Sequence, residues 1–287
     1  MVSLHIPSGV TWELLVVNNN SNDHTESVLT DYADKLPIRS VFEASPGLSN
    51  ARNRAVREAQ GDLIIWTDDD VLVDRDWLAA YADAANRWPM IAFFGGPIEP
   101  WFEGKPPQWL ERIYSRVENA FAARNLGPDP HLLTEGKFPF GANMAMCTNV
   151  QRCYLFDPKL GLRPGSRIVG EESVVFEQMT RDGLEGRWVP GAKVQHFIPK
   201  TRQTIKYLRS YYQGFGQFSA LRVNHEVGAR LFGRPRWVWR KAIESELLFL
   251  VKRYCFKPES WIDNLVEANV CWGILFSASV NRTDSQC

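Results

Sequence analysis

A short run rich in apolar residues, Leu63-Ile64-Ile65-Trp66-Thr67, ends in three consecutive carboxylates, Asp68-Asp69-Asp70. This junction limits the possible folds more than any other stretch of the chain. Such a run reads as a buried strand, and open α/β sheets bind their ligands outside the carboxyl ends of strands. If the backbone stays extended, Asp68 and Asp70 point to one side and Asp69 to the other. Two carboxylates on one side can share a hard divalent cation, Mg²⁺ or Mn²⁺, which keeps waters and binds phosphates. The competing local reading is a solvated loop, with Asp74 and Asp76 in the first turn of a helix toward Asn86.

Strand-like and helix-like segments alternate around the junction. Residues 13–17 and 39–43 have strand composition, and Asp23-x-x-Glu26 has the spacing of a capping box opening a helix toward Lys35. Residues 49–60 put Ala51, Ala55 and Ala59 on one helical face ahead of Gly61. A helix near 77–87 and a strand at 91–95 follow. Repeated βα units predict an α/β fold, a mostly parallel sheet flanked by helices. Gly and Pro mark 95–107 and 125–139 as loops. Further on, 142–147, 187–190 and 193–197 read as strands and 171–181 as a helix. The expected organisation is one domain over 1–200 and a helical extension over 201–287. In the extension, Trp239, Ile243, Leu247, Leu250 and Tyr254 mark one face of an amphipathic helix.

Lys plus Arg and Asp plus Glu both number 33, so no global charge steers the chain to nucleic acid. Five irregularly spaced cysteines among 287 residues fit reduced thiols in a cytoplasm better than a disulfide framework or a zinc site. No signal-peptide pattern is visible. The uncharged stretch 268–280 is shorter than the roughly 20 residues that span a bilayer. A soluble or peripheral chain is expected. Between 225 and 257, eight Lys or Arg stand against three Glu. Basic residues flanking an amphipathic helix can hold a chain to the inner face of an anionic membrane. The alternative is a helix packed on the main domain with a solvated basic face.

Four further groups carry chemistry, each with a plainer alternative. Arg52 and Arg54 lie in the first turn after Pro46-Gly47-Leu48-Ser49, where a helix N-terminus and a guanidinium suit a diphosphate. They could equally face solvent. The amides of 18–22 can meet a base or ribose, or simply make turns. Glu171 and Glu172 suit a helix N-terminus, or one of them is a general base. His196 is a structural imidazole or a third metal ligand from a distant strand.

Taken in order, several segments resemble the family 2 glycosyltransferases, of nucleotide-diphospho-sugar transferase (GT-A) fold. They are 12–23, Pro46-Gly47-Leu48-Ser49-Asn50-Ala51-Arg52-Asn53, 61–70, Phe140-Gly141-Ala142-Asn143-Met144-Ala145 and Gly170-Glu171-Glu172. The likeness covers roughly residues 10 to 215. It implies a metal-dependent, inverting, hexosyltransferase-like transfer from a nucleotide-diphospho-sugar to a glycan or lipid-linked acceptor, in polysaccharide or glycan building. By resemblance, Asp68–Asp70 is the "DXD" element. Asp70 would be its main metal ligand, with Asp68 near metal and ribose and His196 touching metal or diphosphate. Asn18, Asn20, Arg52 and Asp69 would lie on the nucleotide side. Glu172 would be the base, with Glu171 the alternative, and Asn143 would line the acceptor side. Trp101 and Trp109 could stack on sugar rings.

Three departures accompany the likeness. Asn18 stands where many members carry an Asp that reads the base. Glu-Glu replaces Glu-Asp. Only residues 1–11 precede Trp12, where members have a strand and a helix. A chain lacking that strand is expected to show a gap in its sheet and unpaired backbone groups. The competing expectation is therefore a non-catalytic remnant that binds a nucleotide or a partner. A sugar nucleotidyltransferase is a third, but it would need a Gly-rich basic phosphate loop, and none is seen near the start.

Overall fold

The structure, a computed structural model, describes residues 1–165, 168–222 and 229–277. Cys287, the end of the uncharged stretch 268–280 and positions 225–228 of the basic segment lie outside the described residues. The chain divides into two units. The first comprises Met1–Phe102, Phe121–Gly165 and Gly170–Ile198, and the second comprises Glu103–Ala120, Ser166–Val169 and Pro199–Cys287.

In the first unit the strands are β1 (Leu14–Asn18), β2 (Ile38–Phe42), β3 (Leu63–Trp66), β4 (Val71–Val73), β5 (Phe93–Gly95), β6 (Ile98–Phe102), β7 (Met144–Cys147), β8 (Gly186–Trp188) and β9 (Val194–Ile198). Its helices are α1 (Thr25–Tyr32), α2 (Leu48–Glu58), α3 (Trp77–Arg87), α5 (Thr148–Gln151) and α6 (Glu171–Arg181). The second unit holds α4 (Gln108–Val117), α7 (Ile205–Arg222), α8 (Arg236–Cys255) and α9 (Ile262–Leu275). The short hairpin β10 (Arg230–Leu231) and β11 (Arg234–Pro235) also belongs to it.

The fold is α/β, but its sheets are more mixed than the repeated βα units predict. Strand order is β3-β7-β5-β8 in one sheet and β4-β9-β6 in another. β7 runs antiparallel to both β3 and β5, whereas β8 is parallel to β5. β9 is antiparallel to β4 and parallel to β6. A parallel neighbour requires a crossover connection. β7 arrives instead from the long loop 125–139, so it enters in the opposite sense. β1 and β2 form their own parallel pair, with no ladder to β3. α2 bridges the two, packing Val56 and Ala59 with Ile64 of β3 and Leu15 of β1. Among the described residues no helix or strand precedes Leu14. Met1, Leu4, Ile6, Val10 and Trp12 pack against the main core of Trp77, Leu78, Tyr81, Phe94 and Val194.

Three local expectations are corrected. The capping box is not formed: α1 begins after His24 with no side-chain cap. Asp23 accepts from the Thr25 N–H, and Glu26 reaches back to Asn18 instead. The predicted loop 95–107 contains β6, because β9 offers it a parallel edge over five residues. β4 was not anticipated, since three residues after the carboxylates give too short a pattern to read.

In the second unit α9 packs against both α7 and α8. Gly216 of α7 and Gly273 of α9 permit the approach. A Cβ on Gly216 would run into the Val270 carbonyl, and one on Gly273 into that of Gln213. α8 buries Val238, Ala242, Ser245 and Phe249, and Val238 and Ala242 meet Cys271, Ile274 and Leu275. The face marked by Ile243, Leu247, Leu250 and Tyr254 is therefore not the packed one; all four are exposed. Replacing Gly273 by Ala should destabilise this helical packing by about 1–3 kcal/mol, because backbone must shift to admit one methyl. A lowered urea midpoint in equilibrium unfolding is the expected readout.

Candidate functional site

The centre of the site is Arg52, which α2 carries on its buried face. Its Nη1 lies 3.1 Å from Glu171 Oε1 and 3.0 Å from Glu172 Oε1. Its Nη2 lies 3.8 Å from Asp68 Oδ1, and the guanidinium sits over the Phe156 ring at 5.3 Å. α2 is turned inward by polar clamps on its own face. Asn53 donates to the Phe156 carbonyl and accepts from the Phe156 N–H, at 2.7 and 2.8 Å. The Ser49 hydroxyl donates to the Leu160 carbonyl. Gly170 starts α6 at φ +102°, a conformation glycine adopts without strain. That start places Glu171 and Glu172 in the first turn. Gly141 completes the cradle: its N–H donates to Glu172 Oε1 at 3.1 Å. A Cβ there would collide with both the Arg52 guanidinium and the Glu172 carboxylate.

The electrostatics follow from one cation among three carboxylates. Burial pushes the Glu171 carboxyl up to about 8; Glu172 pushes the same way, while Arg52 pulls it down. Burial also raises Asp68, against the pull of Arg52. Asp68 keeps 38% of its side chain open, so water screens its partners. For Arg52, burial opposes the charge, but Glu172, Glu171 and Asp68 outweigh it and hold the guanidinium ionised. A proton kept on Glu171 reduces the excess of negative charge. Glu172 is the more open of the pair, 17% against 6% for the side chains.

A second pair comes from strand register. Val71 of β4 pairs with His196 of β9, and the Phe197 N–H donates to the Asp70 carbonyl at 2.9 Å. His196 Nε2 consequently lies 3.3 Å from Asp70 Oδ1. His196 Nδ1 lies 2.8 Å from the Phe121 carbonyl. A carbonyl only accepts, so Nδ1 carries the hydrogen and Nε2 faces the carboxylate, a hydrogen-bonded orientation typical of ligating histidines. Two such acceptors approach closely when a proton or a cation lies between them. Among the described residues no group of three or more His, Cys, Asp or Glu is gathered as a closed metal cage. Mg²⁺-like ions do not need one; they are held by one or two carboxylates plus substrate phosphates. Asp70 with His196, and Asp68 close by, fit that requirement. Just before them, Trp66 Nε1 and Thr67 Oγ1 are buried without a hydrogen-bond partner, polar atoms that a ligand or water would satisfy.

The remaining expected residues are dispersed. The chain turns at Asp69 and Asp70 instead of staying extended. Asp68 meets Arg52, Asp70 meets His196, and Asp69 is exposed. Arg52, expected beside a nucleotide, is internal. Arg54 pairs with Glu58 at 2.9 Å. Asn18 is buried, donates to Glu26 and accepts from the Ser21 N–H. Asn20 is exposed, with φ +60°. Asn143, expected on the acceptor side, is fully buried. It accepts from Trp77 Nε1 and Tyr81 Oη and donates to the carbonyls of Pro97 and Ala192. No polar atom of its amide is left for an acceptor. Trp101 pairs with Phe197 in the β6–β9 register, and Pro100 pairs with His196. Successive strand residues alternate faces, so Trp101 lies across the sheet from His196. Trp109 belongs to the second unit and packs near Trp261. Two contributors escaped the sequence reading, the Gly141 N–H and the Phe121 carbonyl. Gly141 stands inside a segment singled out for other reasons; a backbone carbonyl leaves no mark at all.

Residues 8–140 match the family model described as glycosyl transferase family 2. That stretch, a little under half of the chain, is similar to family 2 glycosyltransferases. It contains Arg52 and the three aspartates, whereas Glu171, Glu172 and His196 lie beyond it. The uncharacterized glycosyltransferase YfnE of Bacillus subtilis is 34% identical over 74 residues, 25% of this chain and 19% of that protein. The succinoglycan biosynthesis protein ExoM of Rhizobium meliloti is 21% identical over 112 residues, 38% of this chain and 36% of that protein. The chain thus spans about a fifth to a third of the length of these curated relatives. Among solved structures, the mannosyltransferase PcManGT from Pyrobaculum calidifontis, in complex with GDP-Man and Mn²⁺, aligns with TM-score 0.56 at 18% identity. That alignment covers 92% of this chain and 78% of that one. S. aureus TarS 1–349 aligns with TM-score 0.51 at 12% identity, covering 93% and 83%. Both neighbours share the GT-A fold, and the first unit's α/β architecture is that arrangement.

The raised Glu171 carboxyl makes stability depend on pH. The folded state holds a proton that the unfolded state releases above its ordinary value of 4.5. The unfolded chain therefore binds fewer protons in that window, and stability falls as pH rises from there toward about 8. Glu171→Gln should flatten this decline, as read from urea unfolding across that pH range.

Proposed function

We propose that this chain moves a sugar from a nucleotide-diphospho-sugar to an acceptor hydroxyl, with inversion at the anomeric carbon, in building a polysaccharide or other glycan. The observation that carries the proposal is the convergence, within one unit, of the Asp70–His196 pair and the Arg52–Glu171–Glu172 cluster, with Asp68 beside both. The family 2 match, the succinoglycan relative and a fold neighbour bound to GDP-Man and Mn²⁺ support it.

In this reaction Glu172 takes the proton of the acceptor hydroxyl as its oxygen bonds to the anomeric carbon. The bond from that carbon to the diphosphate oxygen breaks on the opposite face. Arg52 and the Gly141 N–H orient the Glu172 carboxylate by donating to its Oε1. Glu171 keeps its proton near neutrality, and this favours Glu172 as the base. A Mg²⁺ or Mn²⁺ held by Asp70 and His196, with Asp68 adjacent, would supply positive charge to the leaving diphosphate. His196 is kept in the receiving tautomer by the Phe121 carbonyl. Exposed Asn20 and Asp69 remain for the nucleotide side. The acceptor is a glycan or a lipid-linked saccharide, met in the cytoplasm at the inner face of the membrane.

A screen for donor hydrolysis and transfer over nucleotide sugars, with Mn²⁺ or Mg²⁺, tests the proposal. Glu172→Gln should lower kcat by about 10²–10⁴-fold, the usual worth of a general base, while circular dichroism stays unchanged. Asp70→Ala should abolish the metal-dependent turnover. Normal rates in both variants would reject the assigned roles.

A further inference from the structure

The second unit leaves one apolar helix face uncovered. α8 buries Val238, Ala242, Ser245 and Phe249 on one side. On the other it exposes Ile243, Leu247, Leu248, Leu250, Val251 and Tyr254, with Leu247 at 58%, Val251 at 62% and Tyr254 at 83%. These side chains follow one another over about 17 Å of helix, at the 1.5 Å rise of an α-helix. Contiguous exposed apolar surface of this kind marks an interaction site. The charges around it say which. Arg236 and Arg240 lie exposed at its N-terminal end and Lys257 just past its C-terminal end, against a single exposed carboxylate on α8, that of Glu244.

We propose that this face of α8 docks in the interfacial layer of an anionic lipid bilayer. The apolar side chains would enter the boundary between headgroups and acyl chains, with the helix lying in the membrane plane and the basic ends meeting lipid phosphates. No described helix is long and apolar enough to cross a bilayer, and a helix lying in the interface needs no such length. A second copy of the chain is a poorer occupant. Packed antiparallel through this face, Arg236 and Arg240 of one copy would oppose Lys257 of the other; packed parallel, each cation would oppose itself. An anionic surface reverses the sign of that interaction. The exposure and charge of α8 are independent of the proposed sugar transfer.

Flotation of the full chain with vesicles tests it without any activity measurement. At low ionic strength the protein should float with equimolar phosphatidylglycerol and phosphatidylcholine vesicles, and not with phosphatidylcholine alone. Removing one surface charge in Arg240→Gln should weaken partition about fivefold, in line with the contribution of a basic residue near an anionic surface. The double variant Leu247→Glu, Val251→Glu should weaken it more than the charge variant does. Both change exposed positions, so the urea midpoint should match that of the unaltered protein. Failure of the unaltered chain to float with anionic vesicles overturns the proposal. Undiminished flotation of the double variant does the same. So does a dimer, seen by sedimentation velocity without lipid, that the double variant dissolves, for then a second copy covers this face.

Discussion

A desolvated guanidinium is tolerated only where carboxylates surround it, and Arg52 is such a group. It lies on the inner face of α2 and is answered from the start of α6, from the loop at Gly141 through Glu172, and from the end of β3 through Asp68. Breaking a buried ion pair from one side costs about 3–5 kcal/mol, because the remaining charge stays buried and unpaired. The same contacts that place the glutamates therefore also tie α2 to the rest of the unit. Geometry at the site and stability of the unit are not separable there.

The other half of the site depends on strand register. Asp70 and His196 are 126 positions apart in the chain, and the β4–β9 ladder alone brings them within reach. A slip of one residue would turn His196 to the opposite face of the sheet, where Trp101 and Phe197 now lie. The Phe121 carbonyl then orients the imidazole so that Nε2 points at Asp70. Backbone hydrogen bonding thus sets the chemistry available to two side chains.

The helical unit obeys a different constraint. Gly216 and Gly273 let α7 and α9 approach at backbone distance, and α9 then offers α8 a surface that takes up Val238 and Ala242. Only one side of α8 can be covered in this way. Its sequence is apolar on both sides, so the side bearing Leu247, Val251 and Tyr254 is left at the surface.

Much of the fold and part of the site could be read from the chain. The helices Trp77–Arg87 and Glu171–Arg181 fall at the expected 77–87 and 171–181. The strand just before Asp68-Asp69-Asp70 and the Gly170-Glu171-Glu172 helix start were legible because local residue types carry them. β4 and β6 were not, since strands of three and five residues form when a partner edge is present, and pairing is not local. For the same reason neither the four internal hydrogen bonds of Asn143 nor the closing of Glu171 and Glu172 around Arg52 is visible in the chain. The sequence by itself determined which polar and charged side chains were available and where along the chain they stand. Only the tertiary structure decided which groups meet, because the energy of a buried charge or an unpaired polar atom is set by neighbours distant in sequence.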